Sequence, residues 1–358
     1  MKFSIFKFLP FGKVKNEDKM FFARYLSLML RAGIPLTRGI QLLAVQTKNL
    51  RFKKALLDIA DSINSGKTIA EALEKYPDIF NDLFTNMVRT GEAAGNLEEV
   101  LEILAEELKK SNDFRSKIIG AIIYPVIIIV VMLLVSFFIT FFVFPKILKV
   151  YQSLNVKIPT LSKILIVTIQ FVTNNSYYIF GGLLIFIILF LIWSKTYQGK
   201  RTLDALWLKI PVIKGLTQKI YTVQFVRTFS SLIAGGIPTP AALEITAKTI
   251  KSSYYKDSIN AFADGIRQGK KLSELISEYS NLYSPIVGQM ISVGEETGQM
   301  SSLLKQLSLF MENEVSLTLE NLSKLFEPAL MIVLSVIVGF VAVATVQLIY
   351  ASIQTVSQ

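Results

Sequence analysis

The 358-residue chain contains no cysteine and no histidine. It therefore has no disulfide, no thiol nucleophile, no Cys/His zinc site and no iron–sulfur or haem site of the ordinary kind. The usual general base at neutral pH is missing as well. An enzyme built on Asp, Glu, Lys and Ser stays open, but we expect no catalytic residue, no cofactor and no metal site.

Charge is also scarce, because only 18% of the residues are charged while 52% are hydrophobic. The hydrophobic excess lies in long uncharged runs, which is typical of membrane spans rather than of a large soluble core. A spanning helix needs about 20 apolar residues. We predict three transmembrane helices, at residues 118–144, 176–194 and 326–353.

The net charge is +11. We interpret this excess as cytoplasmic flanks that obey the positive-inside rule, with contact to anionic lipid or an acidic partner as the alternative. The basic residues are dispersed and no aromatic-basic motif accompanies them, so nucleic acid is not an expected partner.

A long internal repeat organises the chain. The stretch GEAAGNLEEVLEIL at 91–104 returns as GEETGQMSSLLKQL at 294–307, an offset of 203 residues. The register runs without a gap from Phe22/Phe225 to Pro125/Pro328 and holds 23 identities over 104 paired positions. This pattern predicts a duplication in which each copy leads into an apolar segment.

Each copy has the apolar spacing of helices, at three and four residues, with no alternating strand pattern. The expected fold is all-α, with a bundle of about six helices per copy. Thr68 and Glu71 form a capping box that opens a fourth helix. A fifth helix is expected at about 79–90, followed by a turn at 91–95.

These elements predict a polytopic membrane protein with two duplicated cytoplasmic helical domains. Residues 1–16 are predicted to be a basic tail, and either an interfacial segment on the membrane or a disordered tail stays open for them. The predicted segments are a basic N-terminal tail at 1–16, a first helical domain at 17–117, the span 118–144, an extracytoplasmic loop at 145–175, the span 176–194, a second helical domain at 195–325 and the span 326–353.

The topology follows from the repeat, since homologous domains share a compartment only if an even number of spans separates them. Basic residues flanking the spans place both helical domains in the cytoplasm and the C-terminus outside. The loop 145–175 argues against this topology, because its four charged residues are all lysines and it is placed outside the cytoplasm.

One short segment partly matches a nucleotide-binding motif. Ser65-Gly66-Lys67-Thr68 resembles the end of a phosphate-binding loop, but Asp61 stands where that motif requires glycine. The surrounding pattern is helical, so we predict a turn between helices.

Glu92 and Glu295 occupy the same place in the two copies. A capping or turn role is the first interpretation, a docking or interdomain contact the second, and a paired-carboxylate active site the third. No calcium-loop spacing is present. The residues predicted to matter for structure or docking are Gly91, Glu92, Gly95, Gly294, Glu295, Gly298, Pro125 and Pro328.

As a set, these motifs resemble one family. GEAAG at 91–95, GEETG at 294–298, AGIP at 32–35, GGIP at 235–238 and the prolines that open two spans are similar to the GspF/PilC family. These are inner-membrane platform proteins of type II secretion and type IV pilus machines, and the resemblance covers residues 17–350.

The resemblance implies a multi-pass protein of the bacterial inner membrane that is not an enzyme and forms a homo-oligomer. The implied partners are a cytoplasmic assembly ATPase, with a retraction ATPase as a further candidate, pilin or pseudopilin subunits, other inner-membrane machine components and the lipid bilayer. The platform would couple the ATPase to pilin extraction and polymerisation.

Two alternatives remain at this point. One is a competence (DNA-uptake) pseudopilus platform of the same family. The other, from a different class, is a small membrane transporter component, which would need polar groups inside the bilayer.

Overall fold

The computed structural model describes residues 13–143, 145, 167, 170, 171 and 174–356. These form two compact units. The first, called the helical unit, comprises the described residues up to Ser116 together with Arg201–Ser316, and the second, called the apolar unit, comprises Lys117–Lys200 and Leu317 onward. Most of the predicted loop 145–175 and nearly all of the predicted tail 1–16 lie outside the described residues.

The first copy of the repeat contributes six helices, of which the sixth continues into the apolar unit. No strand occurs among the described residues, as the all-α prediction requires. The helices are α1 (Asn16–Arg31), α2 (Leu36–Gln46), α3 (Leu50–Asn64), α4 (Ile69–Glu74), α5 (Asp82–Ala94) and α6 (Leu97–Phe138).

The second copy has the same order of elements. Its α10 begins 203 residues after α2 (239 minus 36), and the next four helices keep that offset. After α7 (Ser176–Trp193) and α8 (Tyr197–Lys209), its helices are α9 (Pro211–Ala234), α10 (Thr239–Thr249), α11 (Ser253–Arg267), α12 (Leu272–Glu278), α13 (Pro285–Thr297) and α14 (Met300–Val356).

The predicted fifth helix and the turn after it were misplaced. Residues 91–95 were expected to form a turn, but α5 continues to Ala94 and only Gly95 leaves the helical conformation. Gly91 and Glu92 therefore lie on the last turns of α5. Gly91 lies inside the helix because α6 packs closely against α5 at this position, a contact described below.

Two helices among the described residues are long and apolar enough to cross a membrane, Leu97–Phe142 and Ser176–Trp193. The first ends in a π-helical segment at Ile139–Val143. The apolar part of α14 covers the third predicted span, 326–353, which stays a prediction.

The two copies have aromatic cores with one chemical difference. Phe52 and Phe80 are fully buried in the first copy, and Tyr255 and Tyr283 occupy the equivalent positions in the second. The Tyr255 hydroxyl donates to the Leu282 carbonyl at 2.6 Å, and the Tyr283 hydroxyl lies 2.8 Å from Ser258 Oγ. Burial raises the pKa of both phenols, that of Tyr283 well above its ordinary value.

These tyrosines make the second copy sensitive to alkali. A phenol whose folded pKa is raised contributes its stability below the unfolded value of about 10 and loses it as pH rises further. We expect alkaline unfolding, followed by far-ultraviolet circular dichroism, to begin in the second copy. Tyr255→Phe with Tyr283→Phe should move that transition to higher pH, although it costs about 1 kcal/mol per lost hydrogen bond at neutral pH. The half-exposed neighbour provides a control, so Tyr254→Phe should leave the transition in place.

Candidate functional site

The turn between α5 and α6 carries the repeated Gly-Glu-x-x-Gly motif. Gly95 follows the last residue of α5 with φ 72°, in the left-handed region that glycine tolerates best. The Asn96 amide donates to the Gly91 carbonyl at 3.0 Å, which is the long bond of a Schellman motif. The last glycine of the motif therefore ends α5 and turns the chain into α6.

The first glycine of the motif allows α5 and α6 to approach closely. Gly91 is buried, and a Cβ placed there would lie 2.8 Å from Val100 Cγ2, 2.9 Å from Val100 Cβ and 3.3 Å from the Leu97 Cα. Real Cβ atoms do not approach their neighbours so closely. Any side chain at 91 would push α6 away from α5.

The glutamate of the motif caps a different helix. Glu92 Oε1 accepts a hydrogen bond from the Ile69 amide at 2.9 Å and Oε2 accepts one from the Ala70 amide at 3.3 Å. These amides open α4, and the first amides of a helix have no partner within it. The capping box predicted at Thr68 and Glu71 is present. Together the two devices satisfy the four amides of residues 68–71.

The second copy repeats the glutamate cap but lacks the capping box. Glu295 accepts from the Leu272 amide at 2.6 Å, the Ser273 amide at 3.3 Å and the Ser273 hydroxyl at 2.6 Å. The residue before α12 is Lys271, whose side chain makes no cap hydrogen bond. Glu295 is thus the side chain that caps α12.

Gly294 and Gly298 reproduce their counterparts in the first copy. Gly298 has φ 70°. A Cβ at Gly294 would lie 3.0 Å from Met300 Sδ and 3.2 Å from Met300 Cα. Within the described residues all six glycines with positive φ fall into three pairs at the repeat offset: Gly33 and Gly236, Gly66 and Gly269, Gly95 and Gly298.

The capping role predicts a clear difference between two adjacent glutamates. Glu295→Gln should destabilise the second copy by about 1–2 kcal/mol, since an amide is a weaker acceptor than a carboxylate at a helix N-terminus. Glu296→Gln is the matched control and should change stability by less than about 0.5 kcal/mol, because Glu296 is exposed. Chemical denaturation of the two variants measures both effects. An equal effect of the two substitutions would contradict the capping role.

The two prolines singled out by sequence lie apart from these turns. Pro125 falls inside α6 and Pro328 inside α14, and neither ends its helix. Both belong to the apolar unit, whereas the two glycine–glutamate turns belong to the helical unit. The segment Ser65–Thr68, which resembled part of a phosphate-binding loop, forms the turn from α3 to α4.

Sequence reasoning missed the contact that joins the two copies inside the helical unit. Arg227 on α9 donates through Nε to Glu107 Oε1 on α6 at 3.0 Å, and the Ser231 hydroxyl donates to Glu107 Oε2 at 2.9 Å. Both ionic side chains are buried, with 7% and 5% of their surfaces exposed. Arg227 also lies 3.5 Å from Glu312 and over the ring of Phe114. This is the most buried ion pair among the described residues.

A partial signal for this contact was present in the sequence. Arg227 and Ser230 are the counterparts of Arg24 and Ser27 in the repeat. The two serines make equivalent hydrogen bonds in their copies. Ser27 Oγ donates to the Glu98 carbonyl and Ser230 Oγ to the Ser301 carbonyl, which ties the first long helix of each copy to its last. The residue equivalent to Glu107 in the second copy is Phe310. The repeat therefore did not single out Glu107 as a functional position.

The candidate site is therefore a set of structural junctions. Its carboxylates act as helix caps and as one half of a buried ion pair, and its glycines permit close helix packing. Such residues hold two helical copies in a defined arrangement, from which two long helices lead into apolar segments. This defines the class: an all-helical scaffold with helices of membrane-spanning length.

Comparison with known families agrees with this class. The family described as type II secretion system (T2SS), protein F, matches the chain twice, at residues 22–145 and 225–347. The chain belongs to this family. The starts of the two matches are 203 residues apart (225 minus 22), the same as the offset of the internal repeat.

Individual relatives carry two kinds of name. The chain is 30% identical over 330 residues to the type IV pilus assembly protein PilC of Myxococcus xanthus, covering 92% of this chain and 79% of that protein. It is 31% identical over 344 residues to PilC of Thermus thermophilus, covering 95% and 84%. It is also 27% identical to the type II secretion system protein F of Vibrio cholerae, covering 93% and 82%.

Proposed function

We propose that this protein is the non-enzymatic inner-membrane platform of a type IV pilus or type II secretion machine. The observation that carries the proposal is the double family match, in which each copy runs from the helical unit into an apolar helix. The names of the relatives point to both machines. On this proposal the platform couples a cytoplasmic assembly ATPase to the extraction and polymerisation of pilin or pseudopilin subunits.

Two continuous helices support a mechanical role. α6 runs from Leu97 to Phe138 and α14 from Met300 to Val356, so each begins in the helical unit and continues into the apolar unit without a loop. A helix carries displacement along its axis better than a flexible connection, because every turn is hydrogen-bonded to the next. Movement imposed on the helical unit by an ATPase would reach the apolar segments through these two helices.

The apolar unit offers a surface on which a pilin helix could pack. A cleft of about 180 Å³ lies between α6 and α14 and is lined by Met132, Val135, Ser136, Ile139, Leu334, Val338 and Ala342. Packing between helices in lipid depends on close van der Waals contact and on small residues, since the surrounding lipid is as apolar as the helices. Ser136 and Ala342 provide such small residues.

The proposed topology has both helical copies in the cytoplasm, three spans and an external C-terminus. The duplication supports it, because two copies that pack against each other through Arg227 and Glu107 must lie on the same side of the membrane. The native chain has no cysteine, so single cysteines provide a direct test. Asp61→Cys and Asp264→Cys should react with a membrane-impermeant maleimide only after lysis. Ser357→Cys should react in intact spheroplasts.

The decisive experiment is site-specific photo-crosslinking of the full chain in cells that express the machine. Asp61 and Asp264 are exposed and equivalent in the two copies, so a photoreactive residue at each tests which copy meets the ATPase. A third probe at Leu184 on α7, which is exposed, tests for pilin. We expect ATPase peptides from one of the first two probes and pilin or pseudopilin peptides from the third.

The outcome distinguishes the alternatives. Recovery of a retraction ATPase would favour a dynamic pilus over a secretion machine, and recovery of DNA-uptake components would assign the platform to competence. The absence of both ATPase and pilin from all three probes would overturn the platform role. Transport would then become the leading hypothesis.

A further inference from the structure

The contact between the two copies joins unlike faces. The first copy uses a face on α5 and α6, called the α6-type face, formed by Asp82, Ile103, Glu106, Glu107 and Lys110. The second copy uses a face on α9 and α10, called the α1-type face because α1 and α2 are its counterparts, formed by Arg227, Ser231, Ala234 and Lys248.

Two contacts show how the faces meet. The Arg227–Glu107 pair lies at the centre, and Lys248 Nζ lies 3.1 Å from Asp82 Oδ2 at the edge. A cleft of about 80 Å³ beside the central pair is lined from both sides.

The duplication gives the chain a second pair of these faces, and both of its members are open. On the α1-type face, Arg24 is 52% exposed where its counterpart Arg227 is 7% exposed, and Tyr25 is 46% exposed where Thr228 is 5% exposed. On the α6-type face, Phe310 is 52% exposed where Glu107 is 5% exposed.

The open faces are more apolar than the buried pair. Phe21, Tyr25 and Leu28 recur at four and three residues and are exposed along one side of α1, where the rings of Phe21 and Tyr25 stack 6.0 Å apart. Leu309 and Phe310 are exposed on α14. Clusters of large exposed apolar side chains usually mark a surface that another molecule covers.

We infer that a second copy of this chain covers these faces. The α6-type face of the second repeat copy in one chain docks on the α1-type face of the first repeat copy in the next chain. The contact within the chain is thus repeated between chains, with Phe310 in the place of Glu107 and Leu28 in the place of Ser231. Apolar burial replaces the buried ion pair as the source of affinity.

This arrangement is a heterologous interface, because the two faces that meet are unlike. Such an interface adds chains head to tail, and the assembly is a ring if the rotation closes. The inference rests on the proposed platform function and gives a surface to the homo-oligomer that the family resemblance implies. The observations that carry it are the duplication and the internal contact, neither of which concerns the ATPase or pilin.

Cysteine crosslinking of the full chain in native membranes tests the arrangement without background, because the natural sequence contains no cysteine. Leu28→Cys and Phe310→Cys are placed in separate chains with different tags, co-expressed and treated with a short bis-maleimide. Head-to-tail docking predicts a crosslink between the two tags and no crosslink when either variant is expressed alone. The double variant should give a ladder of multimers.

Two controls accompany the experiment. Asp61→Cys on α3 is exposed but lies on neither face, so it should not replace Leu28→Cys in the mixed crosslink. Lys248→Cys with Asp82→Cys spans the internal contact and should crosslink within one chain, which reports that the reagent and the fold are intact.

Each alternative has its own result. Crosslinking of either single variant to itself would indicate a symmetric dimer and overturn the inference. Loss of the mixed crosslink while the internal pair reacts would also overturn it, including the case in which residues 1–12 or lipid cover Phe21, Tyr25 and Leu28. A chain that fails this test but still crosslinks to the ATPase would leave the platform role intact, and the reverse result would reject only that role.

Discussion

Replacement of Glu107 by alanine is expected to lower the free energy of unfolding by about 3 kcal/mol, the largest single effect on the helical unit. The substitution removes the main partner of Arg227, which has 7% of its side chain exposed and so cannot regain its hydration. Glu312, at 3.5 Å, remains as a more distant partner. It keeps the cost at the lower end of the range for broken buried pairs.

The repeat provides a matched control for this prediction. Arg24 occupies the position of Arg227 in the first copy and pairs with Glu102, but it is 52% exposed. Arg24→Ala should therefore cost no more than about 1 kcal/mol, as exposed ion pairs do. Replacing both buried partners by apolar residues, Glu107→Leu with Arg227→Met, should recover most of the stability lost by Glu107→Ala.

Chemical denaturation of the detergent-solubilised chain measures the three changes. Hydrogen exchange adds the location, since loosening of the contact should raise exchange first in α6 and α9. Equal losses for Glu107→Ala and Arg24→Ala would show that the internal contact contributes little to stability.

Gly91→Ala is expected to cost about 1–3 kcal/mol, although alanine is the better helix former. The added Cβ would lie 2.8–2.9 Å from Val100 and 3.3 Å from the Leu97 backbone, so α5 and α6 must separate. Gly294→Ala should cost less. Its nearest neighbour is Met300 Sδ at 3.0 Å, on a flexible side chain that can move aside.

The same substitution elsewhere should have the opposite sign. Gly215 lies within α9, and no atom lies within 4 Å of the site of its missing Cβ. Gly215→Ala should stabilise the chain by about 0.5–1 kcal/mol, because alanine loses less backbone entropy on entering a helix. Thermal unfolding of the three variants checks the order. Destabilisation by Gly215→Ala equal to that by Gly91→Ala would contradict the close-approach explanation.

Much of the local structure could be predicted from the sequence. The all-α class and the capping box at Thr68 and Glu71 are confirmed within the described residues. These features depend on neighbours within a few residues, so spacing and cap chemistry decide them. The end of α5 was placed wrongly because Gly91 suggested a turn. The glycine is required there by the close approach of α6 and does not end the helix.

The roles of the charged residues were harder to predict. Glu92 and Glu295 stood out through the repeat, but their partners are amides 22 and 23 residues earlier, in a different helix. Capping was among the interpretations considered for them. Glu107 and Arg227 are 120 residues apart, and no local pattern links such a pair.

The sequence by itself determined the all-helical class and the internal repeat, because apolar periodicity and turn glycines are carried by local residue order. Its repeated motifs carried the resemblance to the family. Only the tertiary structure decided that the motif glutamates cap α4 and α12 and that the two copies join through unlike faces. Duplicated sequences present equivalent faces in each copy. Which of these faces meet is set by side chains brought together from distant parts of the chain, where an arginine is stable in a buried place only if a carboxylate arrives beside it.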